Sequence, residues 1–183
     1  WLVALAVFIC CAGAFSIVQM LERARNTTPL QRFGWSFLTA VAAGATIWST
    51  HFVAMLAYRA QVPVDLDPVM TIASLIIAVV GSIIAFGVAT ARGGPVWSAI
   101  GGMLFGGAIS AMHFMGMAAY HVDGIISWRT GYVAAALICA IVFSAAALVV
   151  LDMRRIGRAR IFVGTGLIVT GIATLHFVAM TAL

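Results

Sequence analysis

The sequence contains no lysine; all ten of its basic residues are arginine. Charge of either sign is scarce: 8% of its 183 residues are charged, where a soluble domain carries about 25%. Six long stretches have no Asp, Glu or Arg at all. Alternating apolar and polar stretches are missing too, which excludes a transmembrane β-barrel. Cys10, Cys11 and Cys139 lack the paired spacing of a metal site and read as small core residues. No nucleophile–base pair lies beside a carboxylate, and no glycine loop opens a soluble helix to cradle phosphate. The chain itself is therefore not read as an enzyme.

What is present is apolar: 64% of the residues are hydrophobic. A water-soluble chain of this length has too little interior to hide that surface, so the bilayer must be its solvent and partner. Runs of roughly 20 residues or more, each enough to span the hydrocarbon core, fall at about 1–20, 34–57, 68–91, 95–119, 131–151 and 161–183. They predict an all-α, polytopic membrane helical bundle of six transmembrane helices. Pro68 and Pro95 sit where a helix start tolerates a missing N–H. Gly101-Gly102 and Gly106-Gly107 suit close helix contact in lipid.

The arginines sort by loop. Arg23, Arg25, Arg32, Arg92, Arg154, Arg155, Arg158 and Arg160 fall on one side of the alternating topology, and Arg59 and Arg129 on the other, with Asp65, Asp67 and Asp123. The arginine-rich side is expected to be cytoplasmic, which places the amino end outside. This distribution explains the net charge of +5 as membrane orientation and leaves no role for nucleic acid. The chain opens in an apolar run at Trp1 with no basic stretch before it and stops as abruptly at Leu183. It is expected to be a segment of a longer protein, with a seventh helix after Leu183.

One phrase occurs three times: His51-Phe52-Val53-Ala54-Met55, His113-Phe114-Met115-Gly116-Met117 and His176-Phe177-Val178-Ala179-Met180. The histidines stand 62 and 63 positions apart (51 to 113, 113 to 176). Each closes the second helix of a helical hairpin, so the chain is one domain, 1–183, of three pseudo-repeated hairpins at about 1–60, 61–122 and 123–183. Trp35 and Trp97 each precede their histidine by 16; Arg160 takes that place in the third unit. Tyr58 and Tyr120 each follow by seven, where they suit an interfacial belt. Imidazole is costly in lipid, so its recurrence at one level in three units marks a site.

On a helix, positions i and i+4 share a face. Each phrase therefore stacks an imidazole and a thioether, giving His51 with Met55, His113 with Met117 and His176 with Met180 as candidate metal ligands. Imidazole suits copper, iron, nickel and zinc; the thioether adds preference for copper, above all Cu(I), or for haem iron. Met112, Met115, His121 and Asp123 are second-line candidates. Phe52, Phe114 and Phe177 are expected to pack and keep the site dry.

Thr50-His51-Phe52-Val53-Ala54-Met55, Met112-His113-Phe114-Met115-Gly116-Met117 and Leu175-His176-Phe177-Val178-Ala179-Met180 resemble the signature of the MHYT domain, a bacterial integral-membrane sensor module. Ile47-Trp48-Ser49 and Asp67-Pro68 add to the likeness, which covers essentially the whole chain. The resemblance implies a sensor with its motifs toward the outer face of the bacterial inner membrane. It implies copper at His51, Met55, His113, Met117, His176 and Met180, with Met112 as the motif's first methionine. It further implies a diatomic gas (O2, NO or CO) or the metal itself as signal, and a fused cytoplasmic output domain, often one that makes or degrades cyclic di-GMP. The chain departs from the pattern in having Phe for Tyr in all three copies, so no phenol is available; Met precedes His only at Met112, and the threonine is absent. Haem or zinc at the same histidines, a proton or metal-ion pathway, and a plain membrane anchor are the alternatives. A homodimer stays open.

Overall fold

In the computed structural model the described residues are 1–57, 64–122 and 129–182, without the side chains of Val64, His121, Val122 and Arg154. They form six long helices: α1 (Leu2–Arg25), α2 (Pro29–Ala57), α3 (Pro68–Ala91), α4 (Pro95–Ala118), α5 (Thr130–Asp152) and α6 (Ala159–Met180). All six are long and apolar enough to cross a membrane. The helices outrun the apolar stretches at the arginine-rich end. There α1 continues through Glu22, Arg23 and Arg25, and α2 starts early enough to hold Arg32. Helical hydrogen bonding does not stop where hydrophobicity does, and long arginine stems reach past the apolar zone. Tyr58, Arg59, Asp123 and Leu183 lie outside the described residues.

The helices pack in chain order, and α6 returns to α1 to close a ring. Across its middle, α4 also touches α2 and α6, which makes α4 the most enclosed helix. Both prolines stand at helix starts as expected. Asp67 caps α3 by accepting from the backbone N–H of Val69 (2.7 Å) and Met70 (3.1 Å), which satisfies two otherwise orphaned donors.

The hairpin repeat is visible in the bonds that join units. Asp67 N–H donates to Ala119 O at 2.9 Å, and 62 residues later Arg129 N–H donates to Ala182 O at 2.9 Å. The Ser36 and Thr90 hydroxyls meet at 3.2 Å, and their equivalents one repeat on, Ser98 and Asp152, form a close hydrogen bond. One element has no sequence signal: β1 (Val64–Leu66) pairs antiparallel with β2 (Tyr120–Val122). Three-residue strands are too short to show alternation. This ladder ties the segment before α3 to the segment after α4, closing the second hairpin at its histidine end.

Glycine sets the spacing of α4 and α5. A Cβ on Gly106 would stand 2.5 Å from Ala140 O, and one on Gly102 would stand 2.5 Å from Ala145 Cα. Gly107 has no such neighbour, so only one residue of that pair serves packing. Gly106→Val forces the two backbones apart; overpacking of this kind costs about 1–3 kcal/mol, and a lower thermal unfolding midpoint in detergent, against an unchanged Gly107→Ala control, is the expected outcome.

Candidate metal centre

α2, α4 and α6 bring His51, His113 and His176 to one level of the bundle. One ring nitrogen from each falls within 4.8 Å of the others. The rings meet edge to face, with centroids 4.8 Å (His51–His113), 5.7 Å (His51–His176) and 5.5 Å (His113–His176) apart. His51 and His113 are buried, whereas His176 is half-buried.

The Nδ1 atoms of His51 and His113 face each other at 3.1 Å. Between neutral imidazoles one Nδ1 must donate and the other accept, so their Nε2 atoms are left as one bare acceptor and one N–H. Both Nε2 atoms, and Nδ1 of His176, are buried with no hydrogen-bond partner. Leaving a buried polar group unpaired costs about 1–3 kcal/mol. Each of the three clustered imidazoles thus keeps one ring nitrogen that the protein does not pair.

Gly116 makes the cluster possible. A Cβ there would stand 2.6 Å from Nε2 of His51. The equivalent positions in the other two phrases are Ala54 and Ala179; no imidazole presses on them in this way, so the middle phrase alone needs glycine.

The histidines border a cavity of about 430 Å³ bounded by α1, α2, α4 and α6. Its walls explain where the predicted methionines went. Met112 and Met180 line it; Met55 and Met117 are buried but do not. At 3.6 residues per turn, i+4 lies about 40° to one side of the histidine and i−1 about 100° to the other. In α2 and α4 the cavity lies on the i−1 and i−4 side, so it meets Thr50 and Ile47, and Met112 and Ile109. In α6, Ile172, Leu175 and Met180 all reach it. Ile47, Ile109 and Ile172 thus repeat with the histidine spacing and were legible in the sequence as a three-fold i−4 isoleucine. Cys10, read from sequence as a small core residue, is indeed buried, but it also lines this cavity from α1.

The cavity reaches the bundle surface at the seam between α1 and α6. Val3, Val7 and Phe177 line it while remaining largely exposed. Phe52 and Phe114 are half-buried, as packing residues would be, but Phe177 is 60% exposed and borders the opening. Its neighbours there are the weakly apposed α1 and α6, so no third helix covers it. His121 contributes its backbone to β2, opposite Asp65; its side chain is outside the described set.

Comparison with known proteins adds three findings. The MHYT family, described as a bacterial signalling protein N-terminal repeat, matches residues 44–102 and 106–164. An uncharacterized signaling protein of Caulobacter vibrioides is 34% identical over 182 residues, covering 100% of this chain and 22% of that protein. The cyclic di-GMP phosphodiesterase NbdA of Pseudomonas aeruginosa is 35% identical (100% of this chain, 24% of NbdA), and the bifunctional diguanylate cyclase/cyclic di-GMP phosphodiesterase MucR of the same organism is 30% identical (99% and 27%). The chain spans about a quarter of the length of these relatives. No solved structure matches it.

Gly116→Ala is expected to push the His51 ring out of the cluster. Diethylpyrocarbonate, which modifies accessible imidazole, should then label His51 at least several-fold faster than in the wild type, where only 4% of the residue is exposed; Ala54→Gly should leave the rate unchanged.

Proposed function

Because the chain belongs to the MHYT family of bacterial signalling proteins, we propose that it is a membrane-embedded sensory input domain built around a copper site. The carrying observation is the convergence of three imidazoles, two buried and one half-buried, from three separate hairpins, each with a ring nitrogen that has no protein partner. Three nitrogens held about 2.0–2.1 Å from one ion lie roughly 3–4 Å apart. The Nδ1 atoms of His51 and His113, 3.1 Å apart, have that spacing and would bind once the proton between them is released, with His176 moving inward to join them. His51, His113 and His176 would hold the ion, with Met112 and Met180 as the thioethers nearest to them in the cavity. Thioethers favour copper, above all Cu(I), over zinc. A copper ion there would supply an open coordination position for O2, NO or CO.

The protein's own part is to position and to seal. The apolar wall of Ile47, Ile109 and Ile172 excludes water, and low polarity around a site tunes its potential. The opening beside Phe177 gives access from the bilayer, where apolar gases dissolve. Since each histidine belongs to a different hairpin, a change in how tightly they are drawn together changes the spacing of α2, α4 and α6. That spacing is the signal a fused output domain would read, and the cyclic di-GMP relatives point to the class of output. The orientation we favour puts the histidine end toward the periplasm and the arginine-rich end in the cytoplasm of an inner-membrane protein.

The geometry argues against the rival cofactor and the rival function. Rings in mutual edge contact leave no slot for a haem between two of them. Away from the cavity the interior includes the bulky side chains of Ile17, Phe86, Phe105, Leu148 and Ile168, all with no exposed surface, which weighs against an ion pathway.

Copper titration of the purified chain tests the proposal. One Cu(I) per chain is expected in the wild type and none after His51→Ala, His113→Ala and His176→Ala are combined; equal binding by the two proteins overturns the site. Met112→Leu should weaken Cu(I) binding roughly tenfold or more, while Met55→Leu should leave it within about twofold. A ligating imidazole must be unprotonated, so retention should fall as pH drops from about 7.5 to 5; a pH-independent occupancy would point to ligands other than histidine.

A further inference from the structure

The arginine-rich end of the bundle holds a second cavity, of about 400 Å³, remote from the histidines in sequence and fold. Four charged side chains border it: Arg25 from the end of α1, Arg32 from the first turn of α2, Arg92 after α3, and Asp152 at the end of α5. The charges do not balance. Asp152 is already engaged by Arg25 Nη1 at 2.9 Å and by the Ser98 hydroxyl. Arg25 also donates to Ser98 Oγ at 2.9 Å. Among the described residues no carboxylate pairs with Arg32 or Arg92. Arg32 reaches only the Thr90 carbonyl, at 3.4 Å, and its Nε is buried without a partner. Arg92 lies over the Trp97 ring, 5.0 Å from its centroid, a contact that leaves its N–H donors free of any carboxylate among the described residues.

The fourth wall is the turn Gly93-Gly94-Pro95 that opens α4. Gly93 and Gly94 have φ of 66° and 93°, values that only glycine adopts freely. Gly94 is the N-cap and no side chain caps the helix, so the positive end of α4 adds to the guanidinium charge.

A recess with an excess of fixed positive charge and forked N–H donors selects an anion with several acceptor oxygens. Phosphate fits that chemistry better than carboxylate or halide, since one tetrahedral group can accept from two guanidiniums at once. Basic recesses between helices near a membrane surface are where such groups meet a protein. We propose that this cavity binds a phosphate group, carried either by an anionic phospholipid headgroup or by a soluble phosphate compound. Bound there, it bridges α1, α2 and the α3–α4 turn, so it clamps the first two hairpins at the end opposite the histidines.

The test is thermal unfolding of the delipidated chain in zwitterionic detergent with dihexanoyl phosphatidylglycerol, dihexanoyl phosphatidylcholine or sodium phosphate. Phosphatidylglycerol should raise the midpoint by roughly 5 °C near saturation, and the zwitterionic lipid should not. Combined Arg32→Gln and Arg92→Gln should abolish the rise. A rise of the same size with sodium phosphate identifies a soluble phosphate as the ligand; a rise with phosphatidylglycerol alone identifies the lipid. An equal response to both lipids, or an undiminished response in the double variant, overturns the proposal. Should the double variant fail to fold, native mass spectrometry of the wild type decides. About tenfold preferential retention of phosphatidylglycerol or of phosphate over phosphatidylcholine is expected, and equal retention of all three overturns the site.

Discussion

Three imidazoles share one point in an apolar interior, and each keeps a nitrogen that the protein does not satisfy. The rest of the histidine end is arranged around that constraint. Gly116 gives up its side chain so that His51 fits against α4. The β1–β2 ladder closes the second hairpin at the same end. The repeated bonds of Asp67 to Ala119 and of Arg129 to Ala182 fix the start of one hairpin's first helix to the end of its second. Unpaired polar groups are expensive in lipid because no water can take the missing bond.

Ring closure is the second organising fact, and it is asymmetric. α1 and α6 are joined at the arginine end by the Glu22–Arg160 ion pair, and Arg160 also donates to Leu151 O at 2.8 Å. Toward the middle, Phe15 and Phe162 approach with centroids 6.3 Å apart. At the histidine end the same two helices part and the cavity opens. This accounts for the one break in the tryptophan repeat. Trp35 and Trp97 lie beneath Arg23 and Arg92, while the third unit places Arg160 at that position and uses it to clasp α1. The seam is thus fixed at the arginine end and opens at the histidine end.

The two ends carry opposite chemistry on one scaffold. Neutral nitrogen and sulfur donors gather at one, guanidinium groups at the other, and between them stand side chains with no exposed surface. Close backbone packing at Gly102 and Gly106 makes α4 and α5 a stiff pair, and α4 runs from the arginine cavity at its start to His113 near its end.

Much of this was legible from the chain alone. Low charge and apolar run lengths dictate six helices, because a bilayer leaves the backbone no other way to satisfy its hydrogen bonds. The spacing of the histidines gives the hairpin repeat and the shared level of His51, His113 and His176. Tertiary structure decided which flank of each helix faces the cavity, and therefore that Met112 and Met180, with Thr50 and Cys10, line it with the imidazoles while Met55 and Met117 do not. Periodicity states which residues share a face, but the rotation of a helix about its own axis follows from contacts with its neighbours. In the same way, no spacing in the sequence could bring Arg25, Arg32 and Arg92 to one recess. Their meeting depends on how the α1–α2 and α3–α4 turns, far apart in the chain, fold over the same end of the bundle.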